Sequence, residues 1–287
     1  MGRLVMKKSW EYYDYCHNSY VPVISPHGKL SSNVLLENSL MQSVNQKFFL
    51  SIIKRIKTAV GPWNTVWGIK LDGKNIEWEL YFYNYGRKDP RLTATRILKV
   101  LRSFFKIPVF ADIGIESQPY FTFSVDLPEG VLKTKQMGGV HLYTEGRDQV
   151  SQGNSYYWGS EGLSFENHYD FFRMPQEARL FVHKVKQSIF LAKDSTAFLK
   201  HDLVKRLCPC HKICVAHKKN KEGLYFSRVN VGQLLYFLEF FAYPQPIVNF
   251  VKTNEKRLDH LLYDVAFDCT LGPQGIVFGK SSYYNVF

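Results

Sequence analysis

The sequence predicts an α+β fold in which an antiparallel β-barrel of about ten strands is surrounded by helices. Three observations carry this expectation. Strand-like runs come in pairs, the pairs alternate with helical runs, and in the best-defined pair one face is apolar while the other interleaves carboxylates with tyrosines. Single strands alternating with helices would imply a parallel sheet. Hairpins alternating with helices imply antiparallel strands with helices packed on one face. Closing such a sheet on itself removes its exposed edges, although a split α+β sandwich satisfies the same pattern.

The best-defined pair is NTVWGIKLDGKNIEWELYFYNY, residues 64–85. Asp72-Gly73 supplies the positive φ of a tight turn. After it, Ile76, Trp78, Leu80 and Phe82 alternate with Glu77, Glu79, Tyr81 and Tyr83, so the two sets occupy opposite faces. The polar set suits a wet, aromatic cavity better than bulk solvent.

Residues 1–39 are rich in Tyr, Ser and Asn and read as an N-terminal arm or cap, leaving 40–287 as a single barrel domain. A helix over about 40–60 carries Phe48, Phe49, Ile52, Ile53 and Ile56 at helical spacing and closes at Gly61-Pro62. A second amphipathic helix spans about 89–105, and strands follow at 109–116 and 119–127. The run 140–144 puts His141 and Tyr143 on one face. The Gly/Ser-rich stretch 151–162 reads as a loop, and 163–170 as a strand with Glu166 and His168 on a common face. A third helix covers about 175–191. Strands at 213–216 and 224–229 lie in or beside the basic stretch 200–221. Helical runs at 232–241 and 247–262 precede a last hairpin, 263–269 with 275–287, on which Asp264 and Asp268 share a face.

Thirty-seven Lys and Arg against 25 Asp and Glu give a formal net charge of +12, which points to an anionic partner: nucleic acid, an acidic membrane surface or a phosphorylated small molecule. No apolar run approaches the roughly 20 residues that span a bilayer. Five cysteines without a signal peptide imply a reducing compartment, so a cytoplasmic protein is expected.

The repeated α-β-β-α units, the tyrosine-bearing polar strand face and the closing GIVFGKSSYYNVF resemble the ABBA prenyltransferases, the bacterial aromatic and cyanobactin-type peptide enzymes above all. The resemblance covers the chain from about residue 40 and is one of pattern. It implies a PT barrel that binds an allylic prenyl diphosphate, lets the diphosphate leave, and passes the isoprenoid cation to an aromatic small molecule or a peptide side chain. Magnesium assists the leaving group in some members and is dispensable in others. Diphosphate requires cationic donors, the allylic cation requires aromatic faces, and a carboxylate takes the acceptor's proton.

On this reading Lys70, opposite the apolar Trp67, Ile69 and Leu71, points inward as a diphosphate ligand, with Lys218, Arg228 and Lys280 as further ligands. Tyr81, Tyr83 and Tyr143 shield the cation, and Glu77 or Glu79 is the base. Two features depart from the family. Basic-x-Tyr pairs are scarce, His141-x-Tyr143 being a weak substitute, and Asp264 and Asp268 place negative charge on a strand that should meet a diphosphate. The absence of a DDxxD motif argues against a terpene synthase or an all-helical prenyltransferase.

The string CPCHKICVAH gathers Cys208, Cys210, His211, Cys214 and His217. These are zinc-ligand types, but Cys208-x-Cys210 is not the spacing of a paired zinc knuckle. An incidental cluster is the expectation and a structural zinc, completed by Cys16-His17 if the arm folds back, the alternative. The competing function is a basic nucleic-acid-binding protein, suggested by the net charge and the 200–221 stretch.

Overall fold

In the computed structural model, residues 20–61, 65–108, 114–146 and 151–286 are described. Ten strands close into one barrel in which each pairs antiparallel with its neighbours in sequence, and the first pairs with the last. They are β1 (Thr65–Asp72), β2 (Asn75–Tyr83), β3 (Thr122–Pro128), β4 (Val140–Glu145), β5 (Gln152–Gly159), β6 (Gly162–Arg173), β7 (Lys212–His217), β8 (Glu222–Val229), β9 (Tyr263–Gly272) and β10 (Gly275–Asn285). The sandwich alternative is thereby set aside: Gly68 faces Tyr284 and Lys70 faces Ser282 across the closing seam.

Helices pack outside the barrel. They include α1 (Asn33–Leu40), α2 (Gln46–Val60), α3 (Ala94–Leu101), α4 (Glu129–Thr134), α5 (Ala178–Gln187), α6 (Ser195–Lys200), α7 (Asp202–Leu207), α8 (Val231–Phe240), α9 (Gln245–Thr253) and α10 (Glu255–Leu258). The large core lies between these helices and the outward strand faces. There Trp67, Trp78, Phe82 and Phe123 meet Phe49, Ile52, Leu98 and Phe237. A smaller cluster, Val66, Tyr81, Tyr83, Ala266 and Tyr284, sits inside the lumen. The strand wall separates the two, as period-two alternation demands.

Several boundaries differ from the sequence reading, each for a local reason. The helix expected over 40–60 begins only at Gln46, because Leu40 ends an earlier helix and Ser43 Oγ accepts from Asn45 N (3.0 Å) in the turn between the two. The helix expected from 89 begins at Ala94, where Thr93 caps it by accepting from Arg96 N, and Pro90–Leu92 ahead of it is a 3-10 turn. The run 247–262 breaks at Asn254, whose side chain donates back to Phe250 O.

Two further expectations concern strands. Within 109–116, residues 109–113 lie outside the described residues, and Ile115–Ser117 is a 3-10 turn led by Gly114 at φ 77°. The stretch 151–162, read as a loop, is mostly β5, a strand paired on both sides. Its small residues sit where neighbours are close: a Cβ at Gly153 would stand 3.3 Å from Thr144 O on the adjoining strand, and Ser155 is fully buried. A bulge between Ser155 and Tyr156 also separates Glu166 from His168. Glu166 reaches His141, whereas His168 stacks on His217 with the rings 6.0 Å apart.

Residues before position 40 contribute to the packing as well. Ser39 Oγ accepts a 2.8 Å hydrogen bond from the buried Trp78 Nε1 and donates to Leu36 O, tying α1 to β2. Ser39→Ala leaves the indole N–H without its acceptor in the core and should cost about 1–3 kcal/mol, measured by urea unfolding against Ser39→Thr.

Candidate active site

Strand parity organises the lumen into levels. At the end where β1–β2, β5–β6, β7–β8 and β9–β10 turn, the interior is ionic. At the other end, where chains leave for the outer helices, a cavity of about 280 Å³ is lined by aromatic rings. Between them lies a belt of five tyrosines, one from each even-numbered strand: Tyr81, Tyr143, Tyr169, Tyr225 and Tyr284. The belt closes on itself. Successive ring centroids stand 5.6, 6.3, 6.5 and 6.4 Å apart, and 6.0 Å from Tyr284 back to Tyr81.

The odd-numbered strands make room for it. In register beside the tyrosines stand Val66, Ser124, Thr122, Ser155, Gly153, Ala216, Cys214, Ala266, Asp264 and Gly68. Gly68 has no alternative, since a Cβ there would fall 2.4 Å from Tyr284 Cε1. Above the belt, Tyr83 stacks between Tyr81 and Tyr85, and Tyr85 lies on Phe121 with centroids 5.0 Å apart.

Beneath the belt Glu79 is 2 % exposed and surrounded by partners. It accepts from Tyr81 OH (2.8 Å) and Ser124 Oγ (2.6 Å), and pairs with Lys70 Nζ (2.6 Å). Ser124 Oγ is also 3.3 Å from Tyr143 OH. Lys70 reaches on to Asp126 (2.8 Å), Asp126 to His141 Nε2 (3.2 Å), and His141 Nδ1 to Glu166 (2.8 Å).

Burial alone would lower the Lys70 ammonium, but the Glu79 and Asp126 charges outweigh it and hold Lys70 well above its ordinary value. Burial would raise Asp126, yet Lys70 and the hydrogen bond from His141 keep it well below the usual carboxylate range. His141 likewise resists desolvation: its two carboxylate hydrogen bonds raise it to about 10. Burial, reinforced by the Glu79 charge, holds the Tyr81 and Tyr143 hydroxyls well above the phenol range, so they stay protonated donors.

The structure distributes the sequence-derived residues as follows. Lys70, Glu77, Glu79, Tyr81, Tyr83 and Tyr143 all face the lumen. Lys280 also lies there, bound to Glu77 (2.7 Å), and Lys218 is bound to Asp268 (2.6 Å). Arg228, at a β8 bulge with φ 62°, sends its guanidinium over Tyr20 while its N–H donates to Asp264. Asp264 and Asp268 share the inner face but stand at opposite ends of it, Asp264 at the cavity and Asp268 among the lysines.

The cysteine string disperses. Cys214 lines the cavity, Cys208 and Cys210 pack against the outer core, and His211 is exposed. Cys16 and His17 lie outside the described residues. Among the described residues no three His, Cys, Asp or Glu side chains are grouped to hold a metal. The lumen carboxylates lie against lysine, histidine, hydroxyl or backbone N–H partners.

Sequence reasoning missed Tyr169, Tyr225 and Tyr284, although each sits on the polar phase of its strand. It also missed Lys212, whose Nζ stands 5.7 Å from the Phe171 ring at the cavity and which has no ion pair among the described residues. The basic 200–221 stretch is not one surface. Lys212 enters the cavity, Lys218 and Lys221 grip Asp268, and Arg206 lies over Tyr236.

The ion-paired level makes stability depend on pH. His141 is raised above its ordinary 6.5, so its contribution is complete below about 6.5 and fades as pH rises through about 10. Asp126 is depressed, so its contribution is present above the ordinary carboxylate range and is lost as pH falls below it. The urea-unfolding difference between wild type and His141→Gln should therefore be largest near pH 6 and shrink by pH 10.5. A difference that grows with pH would contradict the assignment.

No family model matches the sequence, and no curated protein matches it. Among solved structures, the crystal structure of AnaPT from Neosartorya fischeri is similar over 98 % of this chain and 96 % of its own, with a TM-score of 0.51 and 11 % identity. At that identity the likeness is of fold: the closed ten-stranded barrel with its surrounding helices matches the PT barrel of AnaPT. No helix among the described residues is long and apolar enough to cross a membrane.

Proposed function

We propose that this chain is a prenyltransferase that moves an isoprenoid group from an allylic diphosphate to an aromatic small molecule or a peptide side chain. The observation that carries the reading is the closed tyrosine belt flooring an aromatic cavity, inside a barrel of the kind found in the aromatic prenyltransferase AnaPT.

The chemistry follows from that geometry. As the carbon–oxygen bond of the donor lengthens, positive charge spreads over the allyl group. Tyrosine faces stabilise such a charge by about 0.5–2 kcal/mol each when water is excluded. Tyr81, Tyr83, Tyr143, Tyr169 and Tyr225 all present themselves to the cavity. The leaving diphosphate needs a cation at the same level, and Lys212 is the cavity's lysine without an ion pair among the described residues. Lys70, Lys218 and Lys280 join it only by exchanging a carboxylate for phosphate. Glu79 is the base, reaching the cavity through the Tyr81 hydroxyl and through Ser124 beside Tyr143. Glu77, bound to Lys280, lies farther towards the turns.

A thermal-unfolding panel with dimethylallyl, geranyl and farnesyl diphosphate, with inorganic diphosphate as the charge control, tests this reading. At about 100 times its dissociation constant, a bound donor adds about 2.7 kcal/mol of stability. Lys212→Ala should weaken donor binding by about 1.5–3 kcal/mol, the worth of a charged hydrogen bond. Glu79→Gln should leave binding intact while slowing transfer. Equal shifts from every diphosphate, or no shift from any, would refute the proposal.

A further inference from the structure

The base lies beneath the belt at 2 % exposure, so a proton delivered to it cannot pass directly to water. In the proposed transfer the donor's carbon–oxygen bond breaks with its electron pair going to the diphosphate, and the acceptor forms the new bond and gives up one proton. That proton goes to Glu79, by way of Tyr81 or of Tyr143 and Ser124. Before another turnover Glu79 must lose it.

An unbroken line of ionisable groups runs from Glu79 away from the cavity. Its steps are Glu79 to Lys70 at 2.6 Å, Lys70 to Asp126 at 2.8 Å, Asp126 to His141 at 3.2 Å and His141 to Glu166 at 2.8 Å. Side-chain exposure is 2 % at Glu79 and 13 % at Lys70, then 37 % at Asp126, 20 % at His141 and 28 % at Glu166, so every group beyond Lys70 is partly open to solvent. The bulge in β6 is what turns Glu166 onto this line.

Resting on the transferase reading above, we infer that Lys70, Asp126, His141 and Glu166 form the outlet by which the reaction proton leaves the lumen, at the end of the barrel opposite substrate entry. The movement is a relay and not the travel of one proton. Lys70 gives a proton to Asp126 and takes the one on Glu79. Glu166 takes the Nδ1 proton of the His141 imidazolium and yields it to water, and the neutral ring turns over to present its bare nitrogen to Asp126, which hands on the proton received from Lys70. Every group then ends as it began, with one proton moved from lumen to solvent.

The driving force is local. While Glu79 is anionic, it and Asp126 both hold the Lys70 proton. Once Glu79 is neutral, Lys70 faces the desolvation cost with Asp126 alone, and its hold on that proton weakens. Lys70, Asp126, His141 and Glu166 are thus positioning groups acting through Glu79; none needs to touch substrate. Diphosphate held at Lys212, on the cavity side of the belt, leaves the line intact.

The first test is independent of turnover: the imidazole titration of His141, followed by NMR of the isotope-labelled full chain, in wild type and Glu79→Gln. The groups facing His141 are Asp126 from β3, Glu166 from β6 and Tyr157 from β5, the last with its ring centroid 5.3 Å away. None of them changes in Glu79→Gln. Loss of the Glu79 charge should still lower the His141 midpoint by about half a pH unit or more, carried through Lys70 and Asp126. An unmoved midpoint overturns the connected path.

The second test is kinetic. His141→Gly and Glu166→Gln should each lower kcat about tenfold at unchanged KM for the donor, and added imidazole should restore the His141→Gly rate. A kcat unaffected in both variants overturns the outlet, as does a His141→Gly defect that imidazole does not mend. Absence of turnover with every prenyl diphosphate overturns the transferase reading instead, and the titration still decides whether Glu79 and His141 share a path.

Discussion

Closure of β1 against β10 is the constraint on which the other features depend. Once ten strands form a ring, no edge remains to pair with another chain, and each strand must satisfy two different environments at alternate residues. The outer face meets helices and is largely apolar, with one polar patch where Asp170, His217 and Glu222 meet Lys184 and Ser188. The inner face cannot collapse, because strand number and tilt fix the radius of the ring. It must be filled with large side chains or left wet, and this chain does both at different heights.

The filling alternates with strand number. Five tyrosines from even strands project far enough to touch one another, and the odd strands carry the glycine, alanine, serine or similarly small residues that such rings require. Gly68 and Tyr284 show the reciprocity at the seam itself: the ring occupies the volume a side chain would need, so the closing pair and the belt are specified together. Below the belt the same geometry buries charge. Lys70 is tolerable there because two carboxylates compensate its desolvation, and those carboxylates are tolerable because Lys70, His141 and neighbouring hydroxyls compensate theirs. Removing one member would leave the others uncompensated, which is why the level behaves as a unit.

The fold was legible wherever alternation was long and uninterrupted. The hairpin β1–β2 and the inward facing of Lys70, Glu79 and Tyr81 follow from period alone, with Gly73 at φ 60° in the turn. Among the described residues ten strands stand, one of them β5, which looked like a loop; most of the strand expected over 109–116 lies outside the described residues. Small residues in β5 sit where neighbours are close, and a single chain carries no local mark that distinguishes that use from turn chemistry. Bulges obscured the rest. The one beside Glu166 changes which face that residue serves, and the one at Arg228 turns its side chain towards Tyr20. Partnership was invisible too: nothing local shows that Lys70, Lys218 and Lys280 are each met by a carboxylate from another strand.

That pairing gives the lumen its chemical order. If the inward lysines faced an apolar barrel, they would be the natural seat of a diphosphate, and the base would share space with the leaving group. Here their charge is spent on Glu77, Glu79, Asp126 and Asp268, which leaves Lys212 as the ammonium at the cavity without an ion pair among the described residues. On the proposed transferase reading, anion, cation and proton would fall at three heights along one axis: Lys212 among the cavity rings, the tyrosine belt, and Glu79 beneath it. The separation matters because a carboxylate in direct contact with an allylic cation would trap it. A base reached only through a phenol or serine hydroxyl can draw off a proton without offering the cation an anionic oxygen.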